Sequence, residues 1–105
     1  MPDAPRFAAA DLGAESGRVV VGTLRDRRVE LEVVHRFANR AVRLPDGLRW
    51  NAPGLLEGIL DGLRAAGRVD GVGVDAWGVD YGLVDDAGRL LGLPFHPDFL
   101  ITPLT

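Results

Sequence analysis

The 105 residues read as an α/β domain. Three observations carry that reading. Strand-like runs rich in β-branched residues follow one another closely between residues 7 and 33. One stretch, residues 55–63, repeats its apolar residues at helical spacing. After it comes a short apolar run, residues 72–75, that ends in aspartate just as the first run does. A strand–helix–strand order makes that last run parallel to an earlier strand.

Each element has a local cause. FAAAD at residues 7–11 is a short apolar strand ending in an acid, and LGAESG at 12–17 is a turn. RVVVGTL at 18–24 is a second strand, and the polar RDRR at 25–28 turns the chain. Val29, Leu31 and Val33 alternate with Glu30 and Glu32, which predicts a third strand with one wet face. Three strands joined by short turns predict an antiparallel meander. LPDGL at 44–48 is a turn in which Pro fixes φ and Gly accepts φ > 0.

Asn51 is a candidate N-cap, Pro53 suits a first helical turn, and Gly67 offers a C-cap. Between them Leu55, Leu56, Ile59, Leu60 and Leu63 form the apolar stripe. Gly54, Gly58 and Gly62 lie on one stripe of the same helix, each costing about 1 kcal/mol relative to Ala. They fit either a weak helix with a thin apolar face, the plainer reading, or close approach to a neighbouring backbone. Residues 79–84 and 89–93 flank DDAG at 85–88, which predicts a hairpin.

Composition excludes several chemistries. At 47% hydrophobic and 26% charged residues the chain is globular in balance, not disordered. The net charge of −3 argues against nucleic acid or an acidic membrane as partner. Without cysteine there is no disulfide, zinc–thiolate site or thiol nucleophile. All twelve basic residues are Arg, so a Schiff-base lysine and a P-loop are excluded. His35 and His96 form no metal-binding pair; His35 reads as structural and His96 is assigned nothing. No signal-like apolar run and no membrane-length span is visible, so the expected compartment is the cytoplasm.

The chemistry-bearing residues gather in two places. If the strands ending in Asp11 and Asp75 are neighbours, two carboxylates and two glycine-rich turns meet at one sheet edge, where α/β sheets collect ligands. Gly13 and Gly17 would let backbone approach a phosphate, with Ser16 and Arg18 as added donors. An acid beside such a cradle commonly orients Mg²⁺ through water. Taken singly, these pieces have plainer readings: Asp11 as a turn acceptor, Arg18 as a solvated strand end. DAWGVDYG at residues 75–82 packs two acids, two aromatics and two glycines into eight positions. Flat rings with polar tips and hydroxyl-accepting carboxylates suit a sugar; a hairpin with core aromatics is the plainer alternative.

ADLGAESGR at 10–18, HRFAN at 35–39, LRWN at 48–51 and VGVDAWGVDYG at 72–82 together resemble the rhamnulokinase family, in order and in spacing over residues 7–94. The resemblance implies a partial actin-like, ribonuclease-H-like domain: an antiparallel three-strand meander, a crossover helix, a parallel strand and a hairpin. Residues 1–94 would be the N-terminal part of the first domain of a sugar kinase, and residues 95–105, which leave the family pattern, an irregular tail. It implies ATP and Mg²⁺ as cofactors and L-rhamnulose as the sugar, phosphorylated on its 1-hydroxyl. By position, Gly13, Ala14, Glu15, Ser16, Gly17 and Arg18 form the nucleotide-phosphate turn. Asp11 lies near the metal, through water. Gly78 lines the sugar pocket, with Trp77, Asp80 and Tyr81 beside it.

Glu15 departs from the small hydroxyl residue common in relatives. Its charge would repel phosphate unless it points away or reaches the metal. No catalytic residue is expected within the chain, because the family's base lies beyond residue 105. The expectation is therefore an N-terminal fragment, inactive alone, whose partner is the remaining C-terminal part of the kinase. The rival expectation is a stand-alone, non-catalytic module that binds a sugar or a partner.

Overall fold

The structure, a computed structural model, describes residues 4–78 and 80–96. Its centre is a four-stranded mixed sheet in the order β3-β2-β1-β6. Strands β1 (Arg6–Leu12), β2 (Ser16–Arg25) and β3 (Arg28–Ala38) form the expected antiparallel meander. Strand β6 (Gly71–Asp75) lies parallel to β1, with Asp75 opposite Asp11. Helix α1 (Ala52–Ala66) makes the crossover, which parallel pairing requires. Two short strands, β4 (Val42–Leu44) and β5 (Gly47–Arg49), form a hairpin of their own over the predicted Pro45–Asp46 turn.

The helix ends follow the sequence signals. Asn51 Oδ1 accepts from the Gly54 N–H at 3.1 Å, and Gly67, at φ 73°, closes the C-terminus with its N–H on the Leu63 carbonyl. The buried stripe differs from the leucine stripe. Leu56 and Leu60 face outward, while the fully covered positions are Gly58, Gly62 and Ala66. A Cβ on Gly62 would occupy the space of the Val19 side chain, and one on Gly58 that of the Phe37 ring. The glycines therefore seat the helix closely on the sheet, and the weak-helix reading is corrected. What they meet is side chains, not backbone. The core this creates is small: Ala8, Ala10 and Val19, with Val34, Ile59, Leu63 and Val69 packed around them.

A bulge between Val19 and Val20 makes β3 change sides. Val19 pairs with His35 and Val20 with Val33, so Val34 is the extra residue. From Gly17 to Val19 the register puts Phe37 and His35 on the helix side. Beyond the bulge Val33, Leu31 and Val29 share the opposite side with Val20, Gly22 and Leu24. The expected single wet face is corrected: Leu31 is 73% exposed and Val29 63%, alongside exposed Glu30 and Glu32.

The predicted second hairpin forms, with arms shorter than expected. Asp85 N–H bonds to the Arg89 carbonyl, Leu91 N–H to the Leu83 carbonyl, and Val84 bridges Leu90, without continuous strands. Val79, placed by sequence at the start of that hairpin, lies outside the described residues. Of the expected irregular tail, residues 97–105 also lie outside them, whereas Phe95 bridges Arg49. No helix among the described residues is long and apolar enough to cross a membrane.

Candidate functional site

The carboxyl edge of β1 and β6 brings the predicted acids together. Asp11 and Asp75 are register partners on adjacent parallel strands, whose backbones lie about 4.8 Å apart. On the other side of β1, Asp11 faces Arg18, and Arg18 faces Arg36. One row thus crosses the whole sheet with two carboxylates followed by two guanidiniums. Like charges directly opposite destabilise a sheet. Arg18 relieves one side by donating from Nε to Asp11 Oδ2 at 2.9 Å, half in solvent.

The donor set fits a hydrated divalent cation. Asp11 and Asp75 are two adjacent carboxylates, and the described residues contain no cluster of three or more acid, His or Cys ligands. Mg²⁺ suits such a site, because it keeps several waters and takes one or two carboxylates together with phosphate oxygens.

The turn between β1 and β2 is tightly closed. Gly13 N–H donates to the Ser16 carbonyl at 2.8 Å, and a Cβ on Gly13 would lie 3.0 Å from that same oxygen. Gly13 is therefore explained by the turn itself. Gly17 is buried, and a Cβ there would overlap the Phe37 ring, so its lack of a side chain serves packing. Ala14, Glu15, Ser16 and Arg18 are exposed. Glu15 carries its carboxylate on the surface while its carbonyl accepts from the Asn39 N–H at 2.9 Å.

The predicted sugar residues are divided. Asp80 and Tyr81 line a pocket of about 310 Å³ together with Arg49, Leu83, Leu93 and Phe95. Tyr81 is 78% exposed. Gly78 is exposed, and nothing lies within 4 Å of a Cβ built on it. Trp77 is half-buried; its indole N–H donates to Asp80 and its ring packs tilted against Trp50 with centroids 4.5 Å apart. Its polar tip is thus already engaged by the neighbouring acid.

Sequence reasoning passed over several residues that build these places. Trp50, buried, packs at a tilt against both Trp77 and His96. Arg49 lies over the Phe95 ring at 3.8 Å, donates to the Leu93 carbonyl at 2.5 Å and pairs with Asp46. Asn39, buried, bonds to the β1–β2 turn. The segments HRFAN and LRWN held these residues, but spacing alone gave them no role. His35 stacks on Phe37, a structural use. At the 85–88 turn, the Arg89 backbone N–H first, then the Arg89 side chain and the Ala87 N–H, hold the Asp85 carboxyl below its usual range.

Comparison with known proteins bears out the resemblance. The chain is 43% identical to a rhamnulokinase of Pectobacterium carotovorum over 95 residues, 85% of this chain and 19% of that protein. It is 37% identical to a Bacillus subtilis rhamnulokinase over 89 residues, 81% of this chain and 18% of that protein. A Bacteroides thetaiotaomicron rhamnulokinase is 34% identical over 93 residues, again 85% and 19%. The chain spans about a fifth of the length of these curated relatives. No family model matches it. The mixed four-stranded sheet with its crossover helix fits the N-terminal part of an actin-like kinase domain.

Proposed function

We propose that this chain is the N-terminal portion of a cytoplasmic sugar kinase that transfers the γ-phosphoryl group of ATP to the 1-hydroxyl of L-rhamnulose. The observation that carries the reading is the parallel Asp11–Asp75 register beside the Gly13–Ser16 turn, in a chain similar to rhamnulokinases over most of its length. Phosphoryl transfer asks little covalent chemistry of a protein; it asks for positioning and for neutralised charge.

In this reading the turn of residues 13–18 receives the nucleotide phosphates through those backbone N–H groups that the turn and the ladder do not use, the Gly13 N–H being held by the Ser16 carbonyl, and through the Ser16 hydroxyl. Asp11, with Asp75 beside it, would hold Mg²⁺ through water. Magnesium, when bound, spreads the developing negative charge. Arg18 starts on Asp11 and must exchange that partner to reach a phosphate oxygen. Asp80 and Tyr81 offer a carboxylate acceptor and an aromatic face to the sugar, with Gly78 and Trp77 at its border.

Among the described residues Asp11 is paired with Arg18 and Asp80 with Trp77, so neither is placed as a base. In this reading the 105 residues alone are inactive, and the remaining part of the kinase is the partner. The test joins residues 1–94 to the remainder of the Pectobacterium rhamnulokinase. Sugar-dependent ADP release with L-rhamnulose is expected from the chimera, with kcat lowered more than sugar affinity by Asp11→Ala. A folded but inactive chimera would overturn the reading. ADP release by the 105 residues alone would overturn the claim of inactivity. Binding of L-rhamnulose without ATP dependence would point to a stand-alone binding module.

A further inference from the structure

The segment HRFAN at 35–39 is absorbed by neither the phosphate turn nor the sugar pocket, yet its last residue is the one buried polar side chain among the described residues' core, 5% exposed. Asn39 makes two bonds to a turn 26 residues earlier in the chain. Its Nδ2 donates to the Gly13 carbonyl at 2.7 Å, and its backbone N–H to the Glu15 carbonyl at 2.9 Å. From the other side Gly13 N–H holds the Ser16 carbonyl. We propose that Asn39 is the positioning residue of the β1–β2 turn, holding two of its carbonyls inward so that the N–H groups of Ala14 and Ser16 face an anionic ligand, a nucleotide phosphate.

The argument is one of peptide geometry. In a planar trans peptide the C=O and the following N–H point in opposite directions. Tying the Gly13 carbonyl to Asn39 therefore turns the Ala14 N–H away from Asn39. Tying the Glu15 carbonyl does the same for the Ser16 N–H. Two alternate amides facing one way form a concavity that attracts anions, while carbonyls facing the same way would repel them. Two of the turn's carbonyls, those of residues 13 and 15, are held on the Asn39 side.

The side chain's orientation is fixed by the same contacts. The Gly13 carbonyl needs a donor, so the amide nitrogen must face it. Asn39 Oδ1 is then buried without a hydrogen-bond partner. A residue kept for packing alone would be apolar here, because an unmatched buried acceptor is unfavourable. Phe37, two positions earlier, anchors the segment by filling the space that Gly17 and Gly58 leave.

The inference rests on reading the turn as a phosphate site, and its test separates the two. The whole 105-residue chain is followed by residue-resolved amide exchange and ¹⁵N spectroscopy, with β6 amides as internal control and MgATP as probe. Asn39→Asp keeps the size but loses the donor at neutral pH, and Asn39→Ala loses the side chain. Both should exchange the hydrogen-bonded amides of Gly13 and residue 39 at least tenfold faster and bind MgATP at least tenfold more weakly. For Asn39→Asp alone, both effects should reverse as pH falls and the introduced carboxyl regains a proton to donate to Gly13. Residue volume cannot produce that pH dependence.

Unchanged exchange in both variants, or no recovery of Asn39→Asp relative to wild type at low pH, would overturn the proposal. Wild-type amides that ignore MgATP would overturn the phosphate reading. Exchange then decides only whether Asn39 holds the turn: faster upholds that part, unchanged defeats it, and the role towards an anion falls with the phosphate reading.

Discussion

Strands β2 and β3 present apolar side chains to both sides of the sheet, and the two sides meet opposite conditions. On one side Val19 and Val21 are buried under α1, with Val19 seated against Gly62. On the other, Val29, Leu31 and Leu24 are exposed. The residue types are the same and the strands are the same. Burial is therefore set by what crosses above a strand, not by the strand's own composition. In an actin-like reading both sides of the sheet need cover, since sheets with strongly apolar faces pack in layers. The open side is where the proposed remainder of the kinase would add its layer.

The largest expected effect is on the covered side. Gly62→Val puts a branched side chain into the volume of Val19. It should cost about 3 kcal/mol by overpacking, read as a shift of the urea midpoint. A midpoint equal to wild type would mean that the helix does not sit where this contact requires. Next comes Val19→Ala, which removes two methyl groups from the core and should cost about 2 kcal/mol. Asn51→Ala removes the N-cap that starts the covering helix and should cost about 1 kcal/mol, visible as lost helical ellipticity before global unfolding.

The smallest effect should come from the open side. Leu31→Gln should change stability by no more than about 0.5 kcal/mol while reducing self-association in sedimentation. An effect as large as that of Val19→Ala would show that the open face is already covered, by a second copy or by the chain itself. Joining the chain to the rest of a rhamnulokinase should reverse this ranking, making Leu31→Gln as damaging as a core substitution.

Much of this was legible beforehand. The alternation of the meander, the caps at Asn51 and Gly67, and the parallel return of residues 72–75 rest on local rules, and local rules survive folding. The glycines of α1 were ambiguous because propensity measures a helix in isolation, whereas Gly58 and Gly62 answer to Phe37 and Val19 on the sheet beneath. The third strand misled for a similar reason: strict alternation puts Val29 and Phe37 on one side, and a single bulged residue separates them. At the site, Asp11 and Asp75 announced themselves by position at two strand ends. Asn39 did not, because its partners are carbonyls 24 and 26 residues earlier, and carbonyls leave no mark in a sequence.

The bulge at Val34 has a genetic consequence. Removing that one codon would leave every present pairing of β2 with β3 in place, since Val20 already meets Val33 and Val19 already meets His35. The ladder would become regular, the local twist would relax, and the cost would be the apolar contact Val34 makes with the core. Removing Leu31 instead would slide residues 28–30 by one position and turn each of them to the opposite face. A deletion scan along β3 should therefore find one tolerated position in a strand otherwise intolerant of shortening, and that position marks where an ancestral insertion could have entered without disturbing its neighbours.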